Sequence, residues 1–258
     1  MRYSIRFSAL ALAFGAARLA AQAPTTCTVP HARMVDQVDD YHGTQVRDPY
    51  RWLENTDADE TKAWVEQENC VTFGYLGQIA QRDSIRARLT ALWNYERYGV
   101  PSRQGGLYLY SKNDGLQNQS VLYWQRSLAA QAQVLIDPNR LSTDGTVALT
   151  ATRVSEDGRY LGWGVAVAGS DWNEFRVRDI ASGRDLADTL RWIKFSGMSW
   201  THDNAGVFYS RYARPDSNAL RAIVRNQRLY YHRIGTDQSA DELVYERPDQ
   251  PDWGLGGG

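Results

Sequence analysis

From Val100 to Tyr245 the apolar residues come in short runs, each closed by glycine, asparagine, aspartate or proline. Leu107 to Tyr110, Val121 to Trp124 and Val134 to Ile136 form a first group, broken at Asn113-Asp114-Gly115 and ended by Asp137-Pro138. Tyr160 to Trp163 and Phe175 to Val177 form a second, opened by Ser155-Glu156-Asp157-Gly158 and closed at Ala181-Ser182-Gly183. Met198 to Trp200, Val207 to Tyr209, Leu229 to His232 and Leu243 to Tyr245 form a third. Such runs, rich in aromatic and branched residues and bounded by turn formers, predict strands. The turn glycines Gly106, Gly158 and Gly206 recur about every fifty residues, a period that predicts stacked sheet blades rather than one closed core. A few strands per period is a β-propeller rhythm, whereas a sandwich would show the turns without the long period.

Ahead of the strands the pattern is helical. Residues 24–47 read as an extended polar segment. A helix follows, capped by Thr56 or Asp57, with Asp59 and Glu60 at the positive end of its dipole and Trp64, Val71 and Tyr75 on one face. A second helix is predicted from Asp83 to Trp93, with Ile85, Leu89 and Leu92 at helical spacing. The fold class is therefore mainly β with an N-terminal helical arm. The organisation expected is a leader over 1–23, an arm over 24–96 and a partial propeller of about three blades over 97–258. Trp253 to Gly258 fall where another unit would begin, so the chain reads as the front part of a larger protein.

The leader changes the expected compartment. Arg2 and Arg6 precede an apolar stretch from Phe7 to Ala17, and Ala21-Gln22-Ala23 resembles a small-residue cleavage site. That stretch falls short of the ~20 residues a membrane span needs, and no second one follows. An exported protein, periplasmic or secreted and free of the membrane once the leader is removed, is expected. Cys27 and Cys70 are the only cysteines; in an oxidising compartment they can bridge, or remain apart. A formal net charge of −1 offers no clustered cations for nucleic acid. No cysteine and histidine cluster has zinc spacing, no glycine-rich loop precedes Lys-Ser or Lys-Thr, and no calcium loop is present, so neither metal nor cofactor is expected. Asp39-Asp40 and the acids at 57, 59 and 60 read as solvated or dipole-matching charges.

Several stretches together resemble one family. They are DPYRWLEN from Asp48, WVEQENCVTFGYL from Trp64, GLQNQSVLYW from Gly115, DPNRLSTDGTVAL from Asp137, SEDGRY from Ser155, GSDW from Gly169 and LYYHRIGTDQSADE from Leu229. In this order they are similar to the N-terminal portion of prolyl oligopeptidase, from about Val38 to Trp253. The resemblance implies an arm packed on an α/β-hydrolase domain and the first blades of a seven-bladed propeller. It also implies a serine peptidase that cleaves short peptides after proline, with its catalytic half absent from these residues.

The residues agree with that division. A hydrolase nucleophile sits in a Gly-x-Ser-x-Gly elbow, and none occurs here; Ser199 has Gly197 two before it but Thr201 two after. His31, His42, His202 and His232 show no serine and acid arrangement, so no catalytic residue is assigned. The resemblance implies three substrate-facing residues. Phe195, in WIKFSGMSW, would line an outer part of the substrate pocket, or else be blade core. Asp171, in GSDW, would face the catalytic domain and the peptide's amino end, or accept turn hydrogen bonds. Glu156, in SEDG, would add negative charge at that same face, or be solvated. Two other functions remain open: a non-enzymatic propeller-like binding module, and the related oligopeptidase branch specific for basic residues. GLQNQSVLY fits the proline-directed branch better, and three blades alone would leave open sheet edges.

Overall fold

The computed structural model describes residues 27–216, 219 and 222–256; the expected leader lies outside them. They divide into two compact units between Arg88 and Leu89. In the first, Val38–Tyr41 (β1) and Thr44–Arg47 (β2) pair antiparallel. His42 and Gly43 both have positive φ (55° and 92°), the two-residue turn whose twist suits a hairpin. A polar lead-in expected to be merely extended is thus paired with itself. Asp59–Gly77 (α1) follows, with Asp59 and Glu60 in its first turn. The expected caps Thr56 and Asp57 are not used: Ala58 is the N-cap and makes no side-chain bond. Cys27 and Cys70 form a disulfide, with Cα atoms 5.8 Å apart, tying the start of the described chain to α1. Arg33 reinforces the tie, lying over the Trp52 ring at 5.1 Å and pairing with Glu60, 2.8 Å between Nη2 and Oε2. Arg82–Trp93 (α2) spans the division. Phe73, Tyr75, Ile85, Leu89 and Leu92 on the two helices are all exposed.

The second unit is three antiparallel sheets in sequence. The first contains Arg97–Tyr98 (β3), Ser102–Gln104 (β4), Leu107–Asn113 (β5), Val121–Gln125 (β6) and Gln133–Ile136 (β7). β3 and β4 both pair with β5 and act as one strand interrupted before Pro101, which has no N–H to give a ladder. The second contains Val147–Val154 (β8), Tyr160–Val167 (β9), Asn173–Asp179 (β10) and Arg184–Ile193 (β11), each paired with the next. The third contains Met198–Trp200 (β12), Gly206–Arg211 (β13), Arg228–Arg233 (β14) and Glu242–Tyr245 (β15), again a meander. Strands β3, β4, β8 and β11 are absent from the sequence expectation.

Alternation along the strands builds two cores from three sheets. Leu161, Trp163 and Val165 of β9 pack with Leu109, Leu122, Trp124 and Ile136 of the first sheet. Phe175, Leu190 and Ile193 turn the other way and pack with Met198, Val207 and Tyr209 of the third. Fully burying one such side chain contributes about 1.5–3 kcal/mol, so each sheet depends on its neighbour. Bonds between side chain and backbone recur one sheet apart: Val154 N–H donates to Gln104 Oε1 at 3.2 Å, Trp200 Nε1 to Arg153 O at 3.0 Å, and Arg178 Nη1 to Leu135 O at 2.6 Å.

The three recurring glycines serve different purposes. Gly105 and Gly106 both have positive φ and close a two-residue hairpin between β4 and β5. Gly158 (φ 73°) sits in a longer turn, where Tyr160 N–H donates to Ser155 Oγ at 2.9 Å and Arg159 N–H to Asp157 Oδ1 at 3.0 Å. The same turn returns in the third sheet, with Gly206 N–H donating to Thr201 Oγ1 at 3.1 Å and Ala205 N–H to Asp203 Oδ1 at 3.0 Å. Its left-handed residue is Asn204 (φ 58°), so Gly206 is the counterpart of Tyr160 and opens a strand. The repeat expected from glycine spacing holds for the sheets; its third marker is displaced.

Candidate functional site

Successive antiparallel strands send alternate turns to opposite ends of a sheet. In the second sheet Asn173 of β10 pairs with Ile193 of β11 at one end. Asp171 lies two residues before the first and Phe195 two after the second, so both loops emerge together. Glu156 follows β8 in the turn to β9, at the other end of the same sheet. The expectation that Glu156 adds charge beside Asp171 is therefore corrected by strand direction alone.

Phe195 and Asp171 line one cleft of about 300 Å³ with Ser170, Asn173, Phe175 and Ser196. Phe195 is 73% exposed, so it is not blade core. Its φ of 54° is a left-handed conformation that a bulky residue adopts only when its surroundings enforce it. The enforcement is visible on both sides. Gln227 Nε2 donates to Lys194 O at 2.8 Å, and Ser210 N–H donates to Ser196 Oγ at 2.8 Å. The Asp171 loop is held by Ala168 N–H donating to Thr146 O at 3.0 Å, Trp172 N–H to Ser170 Oγ at 3.1 Å and Asn173 Nδ2 to Asp171 O at 2.9 Å. Among the described residues the exposed Asp171 carboxylate has no hydrogen-bond or ion-pair partner, and the buried Asn173 Oδ1 has none either. An exposed aromatic wall, an uncommitted carboxylate and a buried acceptor can take an apolar group together with a donor or a cation.

Glu156 is engaged elsewhere. Its backbone N–H donates to Asn204 Oδ1 at 2.7 Å, and its carboxylate meets the exposed His202 Nδ1 at 2.7 Å. Both partners belong to the turn of the third sheet, so Glu156 joins two turns at the end away from the cleft.

The remaining blade histidine is structural. His232 of β14 is fully buried, with Nδ1 2.6 Å from Asp241 Oδ1 and Nε2 3.0 Å from Asp188 Oδ1. With a carboxylate at each ring nitrogen, both nitrogens donate. Burial opposes the imidazolium, but the bonds to Asp188 and Asp241 outweigh it and push the group up to about 9. Burial likewise raises the Asp188 carboxyl, and bonds from His232 and the Gly235 N–H more than offset it, leaving it below its ordinary value. Tyr209 Oη donates to Asp241, and burial with that carboxylate raises the phenol. Among the described residues no group of three or more histidine, cysteine or acidic residues could hold a metal.

Residues 30–258 match the family model described as "Prolyl oligopeptidase, N-terminal beta-propeller domain". A prolyl endopeptidase of Elizabethkingia meningoseptica is 40% identical over 245 residues, 95% of this chain and 34% of that protein. Prolyl oligopeptidase A of Amanita bisporigera is 33% identical over 96% of this chain and 37% of its own length. Among solved structures, one from a study of two prolyl endopeptidases superposes with a TM-score of 0.78 at 32% identity, covering 86% of this chain and 33% of that one. Prolyl oligopeptidase B of Galerina marginata, bound to a 25mer macrocyclization substrate, gives 0.75 at 32% identity over 88% and 35%. The chain spans about a third of the length of the curated relatives it matches.

Proposed function

Since this chain belongs to the prolyl oligopeptidase family, as its N-terminal β-propeller region, we propose that it serves an exported serine peptidase hydrolysing short peptides after proline. The arm over 24–96 docks on an α/β-hydrolase domain, and the blades over 97–258 form part of the ring that restricts access to it. Ile85, Leu89 and Leu92, exposed at helical spacing along α2, support this, since apolar side chains left in water on one helix face mark a docking surface. The Cys27–Cys70 disulfide supports an oxidising compartment. No helix among the described residues is long and apolar enough to cross a membrane.

Hydrolysis belongs to the hydrolase domain, because these 258 residues contain no Gly-x-Ser-x-Gly elbow. Phe195 and Asp171 contribute substrate contacts: the phenyl ring packs an apolar side chain of the peptide, and the carboxylate attracts its amino end. The observation that carries this role is the pinned, left-handed and exposed Phe195 beside an unpaired Asp171. In enzyme that includes the hydrolase domain, Phe195→Ala should raise KM about tenfold with kcat little changed, the size of one lost aromatic contact. Glu156→Gln, at the far end of the sheet, should change neither. An unchanged KM for Phe195→Ala removes the site.

A further inference from the structure

The other face of the second sheet carries a second, differently built cleft, at the same end. It has a volume of about 350 Å³ and is floored by Val165 and Val167. Its walls are two tryptophans, Trp172 and Trp192, whose rings meet edge to face at 5.8 Å. Trp192 reaches it through an irregularity in β11: Phe175 pairs with Leu190 but Asn173 pairs with Ile193, so Arg191 and Trp192 together oppose Glu174. Regular alternation would have sent Trp192 toward the third sheet with Leu190. The bulge re-aims it, and Trp192 takes a left-handed φ of 64° in doing so. Bulges that redirect a side chain, and backbone held in a sparsely populated region, gather at ligand sites.

The conformation is secured by its neighbours. Tyr212 N–H donates to Trp192 O at 2.9 Å, and Gln238 brackets Arg191, accepting from its N–H and donating to its carbonyl, both at 3.1 Å. Trp172 Nε1 donates to Ala219 O at 2.7 Å, and Lys194 Nζ lies over the Trp172 ring at 4.5 Å.

One side of this cleft is charged. Arg176 and Arg191 share the single carboxylate of Glu174, at 2.6 and 2.9 Å. Burial raises the Glu174 carboxyl, but bonds from Arg191 and Arg176 outweigh it and the net shift is downward, so it stays ionised. Two guanidiniums against one carboxylate leave a net positive charge. Each guanidinium has five N–H donors, and Arg176 gives Glu174 its Nε and Nη2 while Arg191 gives it only Nε. Donors remain for a second, planar anion.

We propose that this cleft binds the carboxylate end of an apolar or aromatic acyl-amino acid or peptide, its side chain between Trp172 and Trp192 and its carboxylate on Arg176 and Arg191. The site lies on the opposite face of the sheet from the cleft of Phe195 and Asp171, the two meeting only at Ser170 and Asn173, and it does not depend on the peptidase reading. The test is titration of residues 24–258 with N-acetyl-L-phenylalanine and with its uncharged amide, followed by calorimetry or ligand-observed NMR. The acid should bind at least tenfold more tightly than the amide. Arg176→Gln should abolish that difference, Trp192→Ala should weaken both ligands at least tenfold, and Phe195→Ala should leave both unchanged. Near-UV circular dichroism checks each variant's fold, and should Trp192→Ala fail to fold, Trp192→Phe, which keeps a ring, should retain the preference for the acid. Equal binding of acid and amide, no binding of either, or loss of binding in Phe195→Ala overturns the proposal.

Discussion

His232 shows how one residue both fixes a contact and hides an element. It joins the second sheet, through Asp188 of β11, to the third, through Asp241 ahead of β15. Its folded value of about 9 lies above the ordinary 6.5, so its stabilisation is fully present below about pH 6.5 and is lost as pH rises through 9. Asp188 is shifted down, so its contribution holds above about pH 4 and is lost in acid. Urea midpoints should therefore fall by the equivalent of a few kcal/mol between pH 6.5 and 9, and His232→Gln should flatten that fall; equal pH profiles for parent and variant would refute the assignment. The same cluster explains a misread strand. In β11 the inward positions are Leu186, Asp188 and Leu190, and the charged residue in the middle breaks the alternation that marks a strand. Its partner is far away in sequence, so no local pattern announces it. Trp192 was illegible for a related reason, since a bulge shifts the very period used to assign faces.

At the scale of elements, the strands were legible because each apolar run ends in turn chemistry, whereas the purpose of each turn residue was not. Gly206 looked like a turn glycine yet opens β13. A Cβ there would meet the Tyr231 ring and the His232 carbonyl oxygen, so Gly206→Ala should cost about 1–3 kcal/mol by overpacking, read as a lowered urea midpoint; an unchanged midpoint would deny the close approach. Asn204 is the true turn residue, and its Oδ1 also accepts the Glu156 N–H of the preceding sheet. Asn204→Ala should lose about 1–3 kcal/mol through strain and the lost bond together. Asn204→Gly removes the strain and keeps only the loss of the bond, so its midpoint should lie between those of parent and alanine variant. Phe195 and Asp171 came from family resemblance, and their shared cleft follows from strand direction. Glu156 could have been separated from them by counting strand reversals, had β8 and β11 been recognised.

Across the whole molecule, the two units differ in what stabilises them. The sheets are joined by two shared cores, while the first unit exposes much of its apolar surface and carries the disulfide. Closing a loop across 43 positions of sequence is worth about 4 kcal/mol in the chain-entropy account. A reductant, or Cys70→Ser, should therefore lower the melting of the helical signal and leave the sheet signal in place; superimposable melts would show that the bridge does not stabilise the arm. On the function proposed above, the propeller blades recognise and restrict, and the bond is broken by residues of the hydrolase domain. That claim is tested most directly by assaying purified residues 24–258 on a proline-containing chromogenic peptide. No release of chromophore above the buffer rate is predicted, and turnover that a single substitution within these residues abolishes would contradict it.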